Sequence, residues 1–136
     1  MVDNLSPAAR SYCMSRVRTR DTDLERLVVR RLRGRGFRFR RNDARLPGKP
    51  DIVFPEAKVA VFVDGDFWHG YRFPAWRDRV SPFWQEKIAK NRTRDQKNFR
   101  KLRRMGWRIV RLWQTQIRKD LDLCVCRITQ VLNSAD

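Results

Sequence analysis

Apolar positions along the chain follow two spacings. In DTDLERLVVRRLRGRGF, Leu24, Leu27, Val28 and Leu32 recur at helical intervals and predict a helix. Thr22 and Glu25 form a capping box at its start, and Gly34 and Gly36 end it. Upstream, Ser6 and Pro7 can open a short helix within residues 6–20, which runs on into a basic arm. FRFR (37–40) alternates and predicts a strand, with its arginines placing it at a sheet edge. The runs 51–54 and 58–63 are separated only by PEA, which predicts an antiparallel hairpin. The second run, containing VAVFV, is apolar on both faces, as a central covered strand would be. Residues 73–84, with Pro74 and Pro82, read as a loop. A long helix follows, with a thin apolar face of Trp84, Ile88, Phe99 and Leu102, ended by Gly106. WRIVRLW (107–113) predicts a strand, and residues 120–132 a last helix with Leu121, Val125, Ile128 and Leu132 on one stripe. The order α-β-β-β-α-β-α predicts an α/β single domain, a small mixed sheet flanked by helices.

Composition sharpens this picture. The 136 residues suit one core, and 41% are apolar, which excludes a disordered basic tail. Thirty-two Lys and Arg stand against 15 Asp and Glu, a formal net charge of +17. So large a self-repulsion points to a polyanionic partner, nucleic acid first, because each neutralised phosphate releases counterion. No long apolar run or signal-like N-terminus argues for a membrane partner. Cys13, Cys124 and Cys126 form no C-x-x-C pair and read as reduced thiols of a cytoplasmic protein.

The acids are then the exceptional residues. Asp51 opens one hairpin strand and Asp64 closes the other, so the hairpin places both carboxylates at one sheet end. Two such acids can hold Mg2+ through oxygen; the alternative is that both are turn formers. His69 is the only histidine and lies just beyond Asp64. It suits a general acid or base, or a structural role. Lys87, Asn91 and Asp95 recur every four residues and share a helix face with Trp84. Asp95 can orient His69 as carboxylates orient catalytic imidazoles, or form an ordinary intrahelical salt bridge. Phe67 and Trp68 would point to opposite sides of an extended segment. One of them then reaches solvent or a stacking partner, unless Phe67 is core and Trp68 caps an edge.

Five segments, MSRVRTRDTDLE, LPGKPDIVF, VFVDGDFWHG, FWQEKIAKNRTRD and LRRMGWRIVRLW, run in this order over residues 11 to about 113. Together they resemble the very-short-patch repair (Vsr-like) DNA mismatch endonucleases. The resemblance implies a restriction-endonuclease-like fold, with an N-terminal DNA-contacting arm over 1–20 and an endonuclease domain over 21–136. It implies a Mg2+-dependent enzyme, with one or two ions, that nicks duplex DNA 5′ to the T of a T·G mismatch left by 5-methylcytosine deamination. By the same resemblance Asp51 is the principal metal ligand, His69 is catalytic with Asp95 beside it, and Glu25 lies near the metal waters. Phe67, Trp68 and Trp84 look like an aromatic wedge entering beside the mismatch, and Met14 like a residue inserting from the minor groove. Lys87 and Asn91 match positions that contact the mismatched bases. The enzyme is expected to be a monomer in the bacterial cytoplasm, at the nucleoid.

Two departures from the family pattern stand out. Asp64 occupies a position where the family usually has a second histidine, and it could bind metal directly. Asp66, Tyr71 and Phe73, with QTQ after the late strand, stand where better-known members carry a structural zinc. No zinc is therefore expected, and residues 66–80 are expected to be held by packing through Tyr71 and Trp76. Two alternatives stay open: a nuclease of this fold with other duplex specificity, and a basic DNA-binding module without catalysis. The acids favour a nuclease, since a phosphate-binding face gains nothing from them.

Overall fold

The computed structural model describes residues 23–134. The predicted 6–20 helix and arm, Thr22, Cys13 and Met14 lie outside that range. Helix α1 (Asp23–Gly34) buries Glu25, Val28, Val29 and Leu32. Asp23 and Glu25 stand in its first turn and Arg31 and Arg33 in its last, complementing the helix dipole. Phe37 N–H closes back on the Leu32 carbonyl at 3.1 Å while Gly36 takes φ +86, a left-handed stop that favours glycine.

Four strands follow in the spatial order β1-β2-β3-β4. β1 (Arg40–Arg41) is an edge strand as predicted but only two residues long. Phe37 and Phe39, expected within it, instead pack their rings against Phe54. β2 (Ile52–Phe54) and β3 (Val59–Asp64) form the predicted antiparallel hairpin, with Ile52 opposite Val61 and Phe54 opposite Val59. β4 (Arg108–Trp113) lies parallel to β3, from Val59 opposite Arg108 to Asp64 opposite Trp113. A parallel pair needs a long crossover, and the helix α4 (Pro82–Arg104) supplies most of it.

Both faces of β3 are covered, which explains its unbroken apolar run. Ile52, Phe54, Val59, Val61, Val110 and Leu112 face α1 and the last helix, α6 (Leu121–Asn133). Val53, Ala60 and Phe62 face α4 through Phe99 and Leu102. Strand alternation then sends Asp64 to the α4 side with Phe62, and Arg111 follows because it stands opposite Phe62. This register builds the site.

Three segments differ from expectation. Residues 66–69, expected to be extended, form a helical turn, α2 (Asp66–His69). The 73–84 loop contains α3 (Phe73–Trp76) and a 3-10 turn, Arg77–Arg79. A further helix, α5 (Gln114–Lys119), follows β4 directly. Each is too short for hydrophobic periodicity to register. Among the described residues no helix is long and apolar enough to cross a membrane, and Cys124 and Cys126 are free thiols.

Candidate active site

The α4 face toward the sheet reads Ile88, Asn91, Asp95, Phe99 and Leu102. Its ends are apolar and its middle is polar. Asp95 is only 7% exposed, and Asp64 at the end of β3 only 5%. Buried carboxylates require donors or cations. Two side chains meet that need.

The first is His69. It ends the α2 turn, whose closure depends on Gly70 at φ +75. A Cβ at Gly70 would lie 2.9 Å from Ile88 and 2.8 Å from Arg92, so the turn packs flush on α4. His69 Nδ1 then lies 2.8 Å from Asp95 Oδ2, and Nε2 lies 3.5 Å from Asp64 Oδ1. Each ring nitrogen thus has a carboxylate beside it, Asp95 at Nδ1 and Asp64 at Nε2. Burial pushes the Asp95 carboxyl up, but the His69 hydrogen bond and the charges of His69, Arg111 and Arg94 outweigh it and hold it below its ordinary value.

The second is Arg111, which sequence reasoning passed over. Its Nε donates to Asp64 Oδ2 at 2.7 Å and its Nη2 to Asp95 Oδ2 at 2.8 Å. Its guanidinium carbon sits 4.1 Å from the Trp113 ring centroid and 5.0 Å from that of Phe99. The available signal was an arginine inside the apolar strand WRIVRLW, on the face opposite Val110 and Leu112.

Asp51 comes to the same end of the sheet but not into this cluster. Its N–H continues the ladder to the Val61 carbonyl at 3.0 Å, and its Oδ2 accepts from Val63 N–H at 2.7 Å. Among the described residues, the acids and histidine close enough to share a metal are Asp64, His69 and Asp95, with ligand atoms within 4.8 Å of one another. Asp64 and Asp51 reach one sheet end as expected, and Asp64 also meets His69 and Arg111 there. Glu25 is buried on α1 and accepts from Arg41 Nη2 at 2.8 Å. Arg41 stands opposite Ile52, one residue from Asp51.

The aromatic residues gather beside α2. The Phe67 ring stacks on Trp76 and meets Trp84 edge-on, each at 5.5 Å. Lys87 Nζ sits 5.5 Å above the Trp68 ring, and Asn91 Nδ2 donates to the Trp68 carbonyl at 2.9 Å. Lys87, Asn91 and Trp68 are therefore neighbours in space. Phe83, unremarked in the sequence, is 65% exposed against the edge of Trp84. The 66–80 segment is held as expected through Tyr71 and Trp76: Trp76 Nε1 donates to the Tyr71 carbonyl at 2.8 Å, and the Tyr71 ring lies 4.8 Å from Trp113. Asp66 adds a polar tie, accepting from both the N–H and the hydroxyl of Thr115 at the start of α5.

Residues 2–74 match the family model described as DNA mismatch endonuclease Vsr. The Type II nicking enzyme V.XorIIP of Xanthomonas oryzae pv. oryzae is 39% identical over 135 residues, covering 98% of both chains. The chain belongs to the Vsr family. It is accordingly an enzyme, a DNA mismatch endonuclease, and the four-stranded mixed sheet flanked by helices is the restriction-endonuclease-like fold of that family. The DNA mismatch endonuclease Vsr of Escherichia coli strain K12 is 39% identical over 123 residues, 87% of this chain and 77% of its own. The Type II nicking enzyme V.NmeDIP of Neisseria meningitidis serogroup C is 34% identical over 137 residues, 96% and 90% of the two chains. The Vsr match spans Asp51, Asp64 and His69, and the relatives' alignments carry on through most of the α4–β4 half that supplies Asp95 and Arg111.

Proposed function

We propose that this Vsr-family protein nicks one strand of duplex DNA 5′ to the T of a T·G mismatch, using Mg2+, and so starts very-short-patch repair. The observation that carries this reading is the single imidazole held on Asp95 at the sheet end where Asp51 also lies, within a chain of net charge +17.

Asp51 offers hard carboxylate oxygen beside the end of β3, the donor type Mg2+ takes together with waters and substrate phosphate. When bound, Mg2+ would neutralise charge on the scissile phosphate and make its water more acidic. His69, with Nδ1–H directed to Asp95, presents Nε2 to take or give a proton at the phosphodiester. Asp95 keeps that tautomer and orientation. Glu25, through Arg41, supports the Asp51 end of β2. Trp68, Phe67 and Trp84 form the wedge that separates base pairs at the mismatch, with Lys87 beside the exposed bases and Asn91 holding the Trp68 carbonyl in place. The packing of Phe67 between Trp76 and Trp84 supports this, because a wedge must be rigid to break stacking. Met14 would enter from the opposite groove. The enzyme works as a monomer in the cytoplasm, at the nucleoid.

The test is cleavage of end-labelled duplexes carrying each mismatch in several sequence contexts, with Mg2+ or with EDTA. A single nick 5′ to T, in T·G duplexes and only with Mg2+, is expected. Equal cleavage of paired DNA would make the protein a nuclease of broader specificity. Salt-sensitive binding without cleavage would reduce it to a basic DNA-binding module.

A further inference from the structure

Two buried carboxylates, Asp64 and Asp95, stand with ligand atoms within 4.8 Å of each other and of His69. Anions so close and so poorly hydrated need a cation between them. By geometry alone a divalent ion would fit that place. Arg111 already fills it. Its planar fork spans the pair, Nε to Asp64 at 2.7 Å and Nη2 to Asp95 at 2.8 Å. The fork is anchored from behind by the Trp113 and Phe99 rings, and by a register that fixes Arg111 opposite Phe62.

We propose that Arg111 is the resident cation of the Asp64–His69–Asp95 cluster. It keeps Asp64 from serving as a metal ligand, leaving the metal to Asp51. As a positioning residue it also braces Asp95 Oδ2, the same oxygen that meets His69 Nδ1. A divalent ion entering here would have to break two charge-assisted hydrogen bonds while facing a guanidinium, which does not deprotonate in proteins. The same pairing accounts for an acid at position 64, where the resemblance expects histidine. A neutral imidazole there needs no counter-charge, whereas a buried aspartate does. The role of Asp51 rests on the proposed nuclease reaction; the cation assignment rests on the cluster itself.

The experiment titrates Mn2+ into the full-length protein and its variants, reading free Mn2+ by electron paramagnetic resonance, with thermal melts to certify folding. Asp64→Asn should bind Mn2+ as the wild type does. Arg111→Met should gain an additional Mn2+ site, and lose it when Asp64→Asn is added, because the two carboxylates are then left without their cation. Loss of wild-type Mn2+ binding in Asp64→Asn overturns the assignment, and so does an Arg111→Met protein that gains nothing. Should Arg111→Met fail to fold, the Asp64→Asn titration decides alone. On T·G duplex, Arg111→Met should lower kcat about tenfold or more with KM little changed, and Arg111→Lys should restore part of it. Unchanged kcat in Arg111→Met would remove the positioning role. If the Mn2+ results hold while the wild type nicks no duplex, the nuclease reading falls and the cation assignment stands.

Discussion

His69 Nδ1 lies 2.8 Å from Asp95 Oδ2, joining a four-residue helical turn to the middle of a 23-residue helix. The contact spans 26 positions of sequence and leaves the other ring nitrogen, Nε2, facing Asp64. His69→Ala should lower the nicking rate by roughly 10²–10⁴, the usual contribution of a general acid or base. DNA affinity should stay close to wild type, since no phosphate-binding cation is lost. Single-turnover nicking beside a gel-shift titration separates the two; an undiminished rate would make His69 structural.

Asp95 also carries a pH signature. Its carboxyl is held below its ordinary 3.8, because His69, Arg111 and Arg94 outweigh the opposing effect of burial. A depressed folded-state pKa contributes stability that is present above the unfolded value and lost as pH falls through the folded one. Asp95→Asn should therefore be less stable than wild type at neutral pH. The gap should narrow as pH drops below 3.8. Denaturant midpoints at the two ends of that range check it; a constant gap would mean that packing, not charge, is what the substitution disturbs.

Asp51→Ala should abolish Mg2+-dependent nicking while keeping, or slightly strengthening, duplex binding in EDTA, because a negative charge leaves a cationic surface. A folded variant that no longer bound DNA would show that Asp51 serves the interface and not the metal.

Trp68→Ala should reduce discrimination between T·G and paired duplex more than it reduces overall affinity. A stacking residue contributes about 1–3 kcal/mol per base, whereas phosphate contacts are indifferent to sequence. Competition binding with both duplexes measures this, and equal losses on the two would remove the wedge. Over a salt series, log K should fall with a slope near −0.9 for each phosphate contacted, in wild type and variant alike.

Gly70→Ala should destabilise the protein by about 1–3 kcal/mol, because alanine is strained at positive φ and its Cβ would meet Ile88 and Arg92. The same change should reduce nicking beyond the loss of folded protein, since the turn sets His69 against Asp95. Thermal melts and rates per folded molecule distinguish the two effects. Full activity at normal stability would show that the turn tolerates the shift.

Much of this molecule was legible in its residue pattern. Helical spacing marked α1, α4 and α6, and the PEA turn marked the β2–β3 hairpin. The unbroken VAVFV run marked β3 as a strand covered on both sides. These are local or two-strand properties, and periodicity with turn chemistry records them directly. The acids, the lone histidine and the Lys87–Asn91–Asp95 face were visible for the same reason. Only the tertiary structure decided how they pair. Arg111 looks like an ordinary interruption of an apolar strand until the parallel register sets it opposite Phe62, on the side of Asp64 and Asp95. The turn at 66–69 depends on Gly70 nesting against α4, a contact between segments that no local spacing encodes. Sequence therefore determined which groups were present and on which elements. Long-range strand pairing and helix packing determined that Asp64 and Asp95 share both the imidazole of His69 and the guanidinium of Arg111, because burial makes those charges find partners.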